Sequence, residues 1–211
     1  LNKYSLYLFY GENEGHKNEI IKKKFEKKYE NKIYRYDEKE ILEKKNEFFN
    51  SILSKSFFEN EKLIIISRTS DKIIEIIDEI YQKKIDDIKI VLASHILEKK
   101  SKLRNYFEKS KSCGISPCYQ DNEITIKKII SKRLKDFQGV TSQIINFITQ
   151  NTGLDRNKVN NEIDKITSCF SDRKVDINKI DSLLNNRTND DFNLLKDEAL
   201  KGNKINTNRL L

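Results

Sequence analysis

Before Pro117 the chain keeps switching between two spacings of apolar residues; after it, only one remains. Residues 4–10, with Tyr, Leu and Phe throughout, read as a buried strand ending in a turn at Gly11. Ile21, Phe25 and Tyr29 stand four apart, one apolar stripe on a helix. Ile33 to Tyr36 is a short strand, and Asp37 is placed to cap one helix carrying Ile41, Leu42, Phe48, Phe49, Ile52 and Leu53. Strands follow at 62–67 and 88–93, separated by a helix bearing Ile73, Ile77 and Ile80. A short helix with Leu103 and Phe107 and a last strand at 112–116 complete the series. Strand and helix in alternation predict an α/β fold, a mostly parallel sheet with helices on both faces.

Beyond Pro117 the stripes are all helical: Ile126, Ile130 and Leu134; Ile144, Ile145, Phe147 and Ile148; Val159, Ile163 and Ile166. One more short element lies between Val175 and Leu184. The division expected is 1–118 for the sheet domain, 119–187 for a small all-helical domain and 188–211 for the start of a third. Residues 185–189 form the polar connector, and Phe192, Leu195 and Ala199 open a helix that cannot bury its own stripe alone.

Charge and cysteine content exclude several classes. Leu63-Ile64-Ile65-Ile66 is strand length, far from the roughly 18 apolar residues of a membrane span, so no membrane partner is expected. Three cysteines are too few for a disulfide framework and read as reduced thiols of a cytoplasmic protein. The net charge of +8 permits an anionic partner without requiring one. The absence of Met, even at position 1, points to a piece of a longer chain or a misassigned first codon.

The turn after the first strand is where a nucleotide would bind. A phosphate-binding loop needs Gly, four residues, then Gly-Lys-Ser/Thr, so that backbone amides and the lysine meet the phosphates and the hydroxyl holds magnesium. Here the turn reads Gly11-Glu12-Asn13-Glu14-Gly15-His16-Lys17-Asn18. The glycines are one residue too close, Asn18 replaces the hydroxyl, and Glu12 and Glu14 bring negative charge to a phosphate position. No catalytic residue and no cofactor are expected. His16 and His95 lack companions at metal spacing, and four residues separate Cys113 from Cys118, too far for a usual zinc pair. Lys99, Lys100, Lys102 and Arg104 form the densest basic cluster, which a solvated helix start explains equally well.

Ser56-Phe57-Phe58 precedes the strand at 62–67. Adjacent residues lie about 100° apart on a helix, so one face does not readily bury both rings. Either the pair forms an exposed wedge or both rings pack under the sheet.

Several segments together carry a resemblance. Leu8-Phe9-Tyr10-Gly11-Glu12-Asn13-Glu14, Ser56-Phe57-Phe58 before Lys62-Leu63-Ile64-Ile65-Ile66, and Leu97-Glu98-Lys99-Lys100-Ser101-Lys102-Leu103-Arg104 resemble segments of the delta subunit of the bacterial DNA polymerase III clamp loader. Gly153-Leu154-Asp155-Arg156 and Glu162-Ile163-Asp164-Lys165-Ile166 are similar to that family's helical segments, and Ser-Lys-Leu-Arg before Phe107-Glu108 to its alphaproteobacterial members. The resemblance implies a RecA-like AAA+ domain, a helical lid and a collar cut short. It also implies a defective nucleotide site and a non-catalytic subunit of a nucleotidyltransferase holoenzyme in DNA replication. Phe57 and Phe58 would be the plug entering a pocket of the sliding clamp (beta), oriented by Ser56. Phe57 stands where the family more often has Leu, and Glu98 where it has Asp. Further partners implied are the gamma/tau and delta prime subunits, which would supply ATP chemistry, and primer-template DNA through the assembled complex. The alternatives are a nucleic-acid-binding adaptor and an active AAA+ ATPase.

Overall fold

The computed structural model describes residues 4–29, 32–53, 61–83, 88–184 and 189–210. The chain divides into two compact units, Leu1–Gln120 and Asp121–Leu211.

The first unit opens with β1 (Leu6–Tyr10) and α1 (Glu14–Ile21), which runs through a π turn (Lys22–Glu26) into α2 (Lys27–Tyr29). Then come β2 (Ile33–Asp37), α3 (Glu38–Glu43), α4 (Lys45–Leu53), β3 (Lys62–Ser67), a 3-10 turn (Asp71–Ile73) and α5 (Ile74–Gln82). β4 (Ile88–Ser94), α6 (Lys102–Lys109) and β5 (Cys113–Pro117) close it. Among the described residues the strands form one parallel sheet in the order β2-β3-β4-β1-β5.

Strand side chains alternate between faces, and the two faces make two cores. Leu6, Leu8, Ile64, Ile66, Ile90 and Leu92 pack with α4, α5 and α6 through Phe48, Ile77 and Phe107. Tyr7, Phe9, Leu63, Ile65 and Val91 pack with Ile21, Phe25 and Tyr29. Both faces of the central strands are covered, which is why β1 and β3 read as near-continuous apolar runs. Residues four apart drift about 40° per step round an α-helix. The wider π turn takes up that drift and keeps Ile21, Phe25 and Tyr29 on one buried line.

Two sequence expectations need correction. The helix expected from Asp37 onward is two helices: Asp37 caps α3 by accepting from the Lys39 amide, and Lys44 leaves the helical region at φ −125° and ψ 45°. Phe48 and Phe49, adjacent in sequence, are both buried beyond the break. The helix expected after the polar connector is a pair, described below.

The second unit comprises α7 (Glu123–Arg133), α8 (Ser142–Thr152), α9 (Arg156–Cys169), α10 (Ile177–Leu183), α11 (Asn189–Leu200) and α12 (Lys204–Leu210). α7, α8 and α9 close around Ile126, Ile130, Ile144, Ile148, Val159, Ile163 and Ile166. Gly153, at φ 56°, ends α8, and Asp155 caps α9 through the Asn157 and Lys158 amides. Buried Arg156 then meets buried Asp121 in a two-pronged pair, Nε to Oδ2 at 2.7 Å and Nη2 to Oδ1 at 2.5 Å. The α11–α12 turn is gathered by the Glu198 carboxylate, which accepts from Lys201, Asn203 and Asn206. Leu194, Leu200 and Ile205 are exposed on this pair. No helix among the described residues is long and apolar enough to cross a membrane.

Candidate functional site

β1 delivers the chain to the carboxyl edge of the sheet, where ligands of open α/β folds bind. Gly11 turns there at φ 130°, and a Cβ on it would lie 2.2 Å from the Cys118 carbonyl oxygen, so no other residue fits unshifted. The loop is pinned by its neighbours: the Gly11 amide donates to the His95 carbonyl and the Asn13 amide to that of Cys118, both at 3.0 Å. Asn13 caps α1 by accepting at Oδ1 from the His16 amide at 2.9 Å, and its side-chain Nδ2 donates to the Tyr119 carbonyl.

Lys17, the lysine that would have to meet phosphates, is turned inward. Its side chain is 1% exposed. Its ammonium donates to the Gly11 carbonyl at 2.9 Å, the Ser94 carbonyl at 2.7 Å and Glu14 Oε1 at 2.7 Å. An ammonium has three protons to donate, and these contacts use all of them. Glu14 also lies 3.3 Å from His95 Nδ1.

Beside the loop lies a cleft of about 520 Å³ at the carboxyl ends of β3 and β4. Its charges are largely matched internally: Arg35 with Glu26 at 2.6 Å, and Arg68, held at φ 55°, with Asp37 at 2.5 Å. Nucleotide folds of this kind use an acidic residue after this strand to help hold magnesium. Here Ser67 and Arg68 occupy the end of β3, and Asn18 faces the cleft where a hydroxyl would be needed. The residues therefore do not fit a magnesium–nucleotide complex. The end of β3 was readable in the sequence as Ser-Arg in place of acids; the fate of Lys17 was not.

The other sequence candidates fall as follows. Ser56, Phe57 and Phe58 lie outside the described residues, between α4 and β3. Cys113 and Cys118 are buried, whereas Cys169 is exposed at the end of α9. In the basic cluster, Lys100 pairs with Glu98 and Arg104 with Glu108. The Arg104 guanidinium also lies 5.1 Å from the Tyr10 ring centre, a packing role. Burial, followed by the hydrogen bond and electrostatic influence of Tyr119, pushes the Tyr10 phenol up to about 12. His16 and His95 stand on different segments of the loop region, and His95 is largely exposed.

No family model matches the chain, and no curated protein matches it. Solved structures do. The chain is similar to the Bacillus subtilis DNA clamp loader delta protein (YqeN), with a TM-score of 0.61 and 12% identity, over 98% of this chain and 66% of that one. It thus spans just under two thirds of that neighbour's length. A Thermotoga maritima RuvB variant matches with a TM-score of 0.55 and 13% identity, over 92% of this chain and 68% of that one. At such identities the likeness is one of fold, and the chain has the RecA-like AAA+ fold with a nucleotide loop closed on itself.

Proposed function

We propose that the chain is a clamp-loader subunit that works by binding, with ATP chemistry left to other subunits. The observation that carries this reading is the fold likeness to a clamp loader delta protein along 98% of the chain. The inward Lys17 supports it, because a loop without a free lysine or a magnesium ligand suits a subunit that holds no nucleotide. On this reading residues 1–118 are the AAA+ module, 119–187 the lid and 188–211 the beginning of a collar. Ser56 orients the Phe57-Phe58 plug, and the plug enters a pocket of the sliding clamp. Binding the opened clamp more tightly than the closed one shifts its population toward the open form, with no covalent step. Gamma/tau and delta prime subunits and primer-template DNA are the remaining partners, in the cytoplasm.

Capture of purified sliding clamp on the immobilised chain tests this. Phe57→Ala with Phe58→Ala is expected to cost about 2–4 kcal/mol, or roughly 30- to 1,000-fold in Kd. Wild-type affinity in the double variant would remove the plug assignment; failure of the wild-type chain to bind any clamp would remove the reading itself.

A further inference from the structure

We infer that α7 presents a sequence-independent site for the phosphate backbone of a nucleic acid, and this does not rest on the clamp reading. Residues 127–135 contain Lys127, Lys128, Lys132, Arg133 and Lys135 and no acid, and the run ends at the exposed Asp136. Ile126 and Ile130 are buried, so positions about 200° further round α7 face outward, and there stand Lys128 and Lys132; Lys135 lies two residues past the helix end, beside Asp136. All three are exposed. Lys127 is held by Glu123 and Arg133 by Asp164, whereas Lys128, Lys132 and Lys135 have no ion-pair partner among the described residues.

Nothing on the next helix offsets this charge. From 137 to 154, a stretch that includes all of α8, there is no charged side chain, in a chain that is 35% charged. α8 instead exposes Gln143, Asn146 and Gln150, neutral donors of the kind that contact phosphate and sugar. The equally lysine-rich α1–α2 face differs, since Glu19 and Glu61 pair with Lys23 and Lys28 there. Lys128 and Lys132 stand four residues apart, about 6 Å along the helix, and Lys135 extends the patch past its end. One nucleic-acid strand places a charge about every 3.4 Å of its axis, so several phosphates come within reach. Apart from Ile124 at its start, α7 has no exposed large apolar side chain to anchor a protein partner or enter a membrane.

The test uses the full chain and fluorescein-labelled duplex and single-stranded DNA in a salt titration read by anisotropy. Lys128→Gln with Lys132→Gln and Lys135→Gln is compared with Lys22→Gln, Lys24→Gln and Lys27→Gln, which remove equal charge. The α7 variant is expected to bind at least tenfold more weakly at about 50 mM salt, with the duplex slope of log K against log salt flattened by about 2–3. The α1–α2 variant is expected to stay within about threefold of wild type. Replacing the α7 lysines by Arg should retain binding, which separates charge from folding. Equal loss in both Gln variants, an unchanged α7 variant or no wild-type binding at low salt would overturn the site. Tighter binding to poly-glutamate or phosphatidylserine vesicles than to either DNA would overturn the partner class. Clamp capture by the α7 variant reports separately on the other proposal.

Discussion

At the scale of single residues, the buried charges of Lys17 and of the Arg156–Asp121 pair each carry a testable cost. Lys17 satisfies two buried strand-end carbonyls, those of Gly11 and Ser94. Lys17→Met strips both of their donor, and an unsatisfied buried acceptor costs about 1–3 kcal/mol. We expect urea unfolding of the first unit to lose about 2–4 kcal/mol, with no magnesium-dependent ATP retention in equilibrium dialysis before or after the change. Arg156 and Asp121 present the second case. Breaking a buried pair strands a charge and costs about 3–5 kcal/mol, while replacing both partners by apolar residues is often neutral. Arg156→Met alone should therefore destabilise the second unit by that amount, and Asp121→Leu added to it should recover most of the loss, as read by denaturant midpoints.

At the scale of elements, two of the segments that carried the family resemblance are joints, Leu97 to Arg104 and Gly153 to Arg156. Ser101 caps α6 and donates to Asp71, which also accepts from the Lys102 and Leu103 amides. Gly153-Leu154-Asp155-Arg156 ends one helix, starts the next and ties it to Asp121. Burial pushes the Asp71 carboxyl up, but the donors from Ser101, Leu103 and Lys102 pull it further down, below the ordinary 3.8. A carboxylate lowered in the folded state contributes stability above its unfolded value and loses it as pH falls through the folded one. Asp71→Asn should accordingly flatten the loss of stability as pH falls below about 4, measured by thermal melting along an acid series. The Phe48-Phe49 pair carries a warning for the Phe57-Phe58 argument. Both of its rings are buried, 3% and 5% exposed, so adjacency of two aromatics does not by itself produce a wedge. The proposed clamp assignment rests on the resemblance, not on that geometry, and clamp capture by the Phe57 and Phe58 variants is its test.

At the scale of the whole molecule, the two-sided parallel sheet and the helical second unit were legible because each depends on local periodicity. An alternating or 3.6-residue apolar pattern specifies which face an element must cover, whatever lies opposite. The degenerate turn at Gly11 was legible for a similar reason, since glycine spacing and a missing hydroxyl are properties of adjacent residues. The break at Lys44 and the π turn before Tyr29 were not, because apolar spacing tolerates both a continuous and an interrupted helix. Sequence alone thus determined the layers, the strand–helix order and the poor chemistry of the nucleotide loop. Only tertiary structure decided where Lys17 and Arg156 go. Their partners lie 77 and 35 residues away, at Ser94 and Asp121, and a charged side chain shows no sign of burial until folding brings such an acceptor to it.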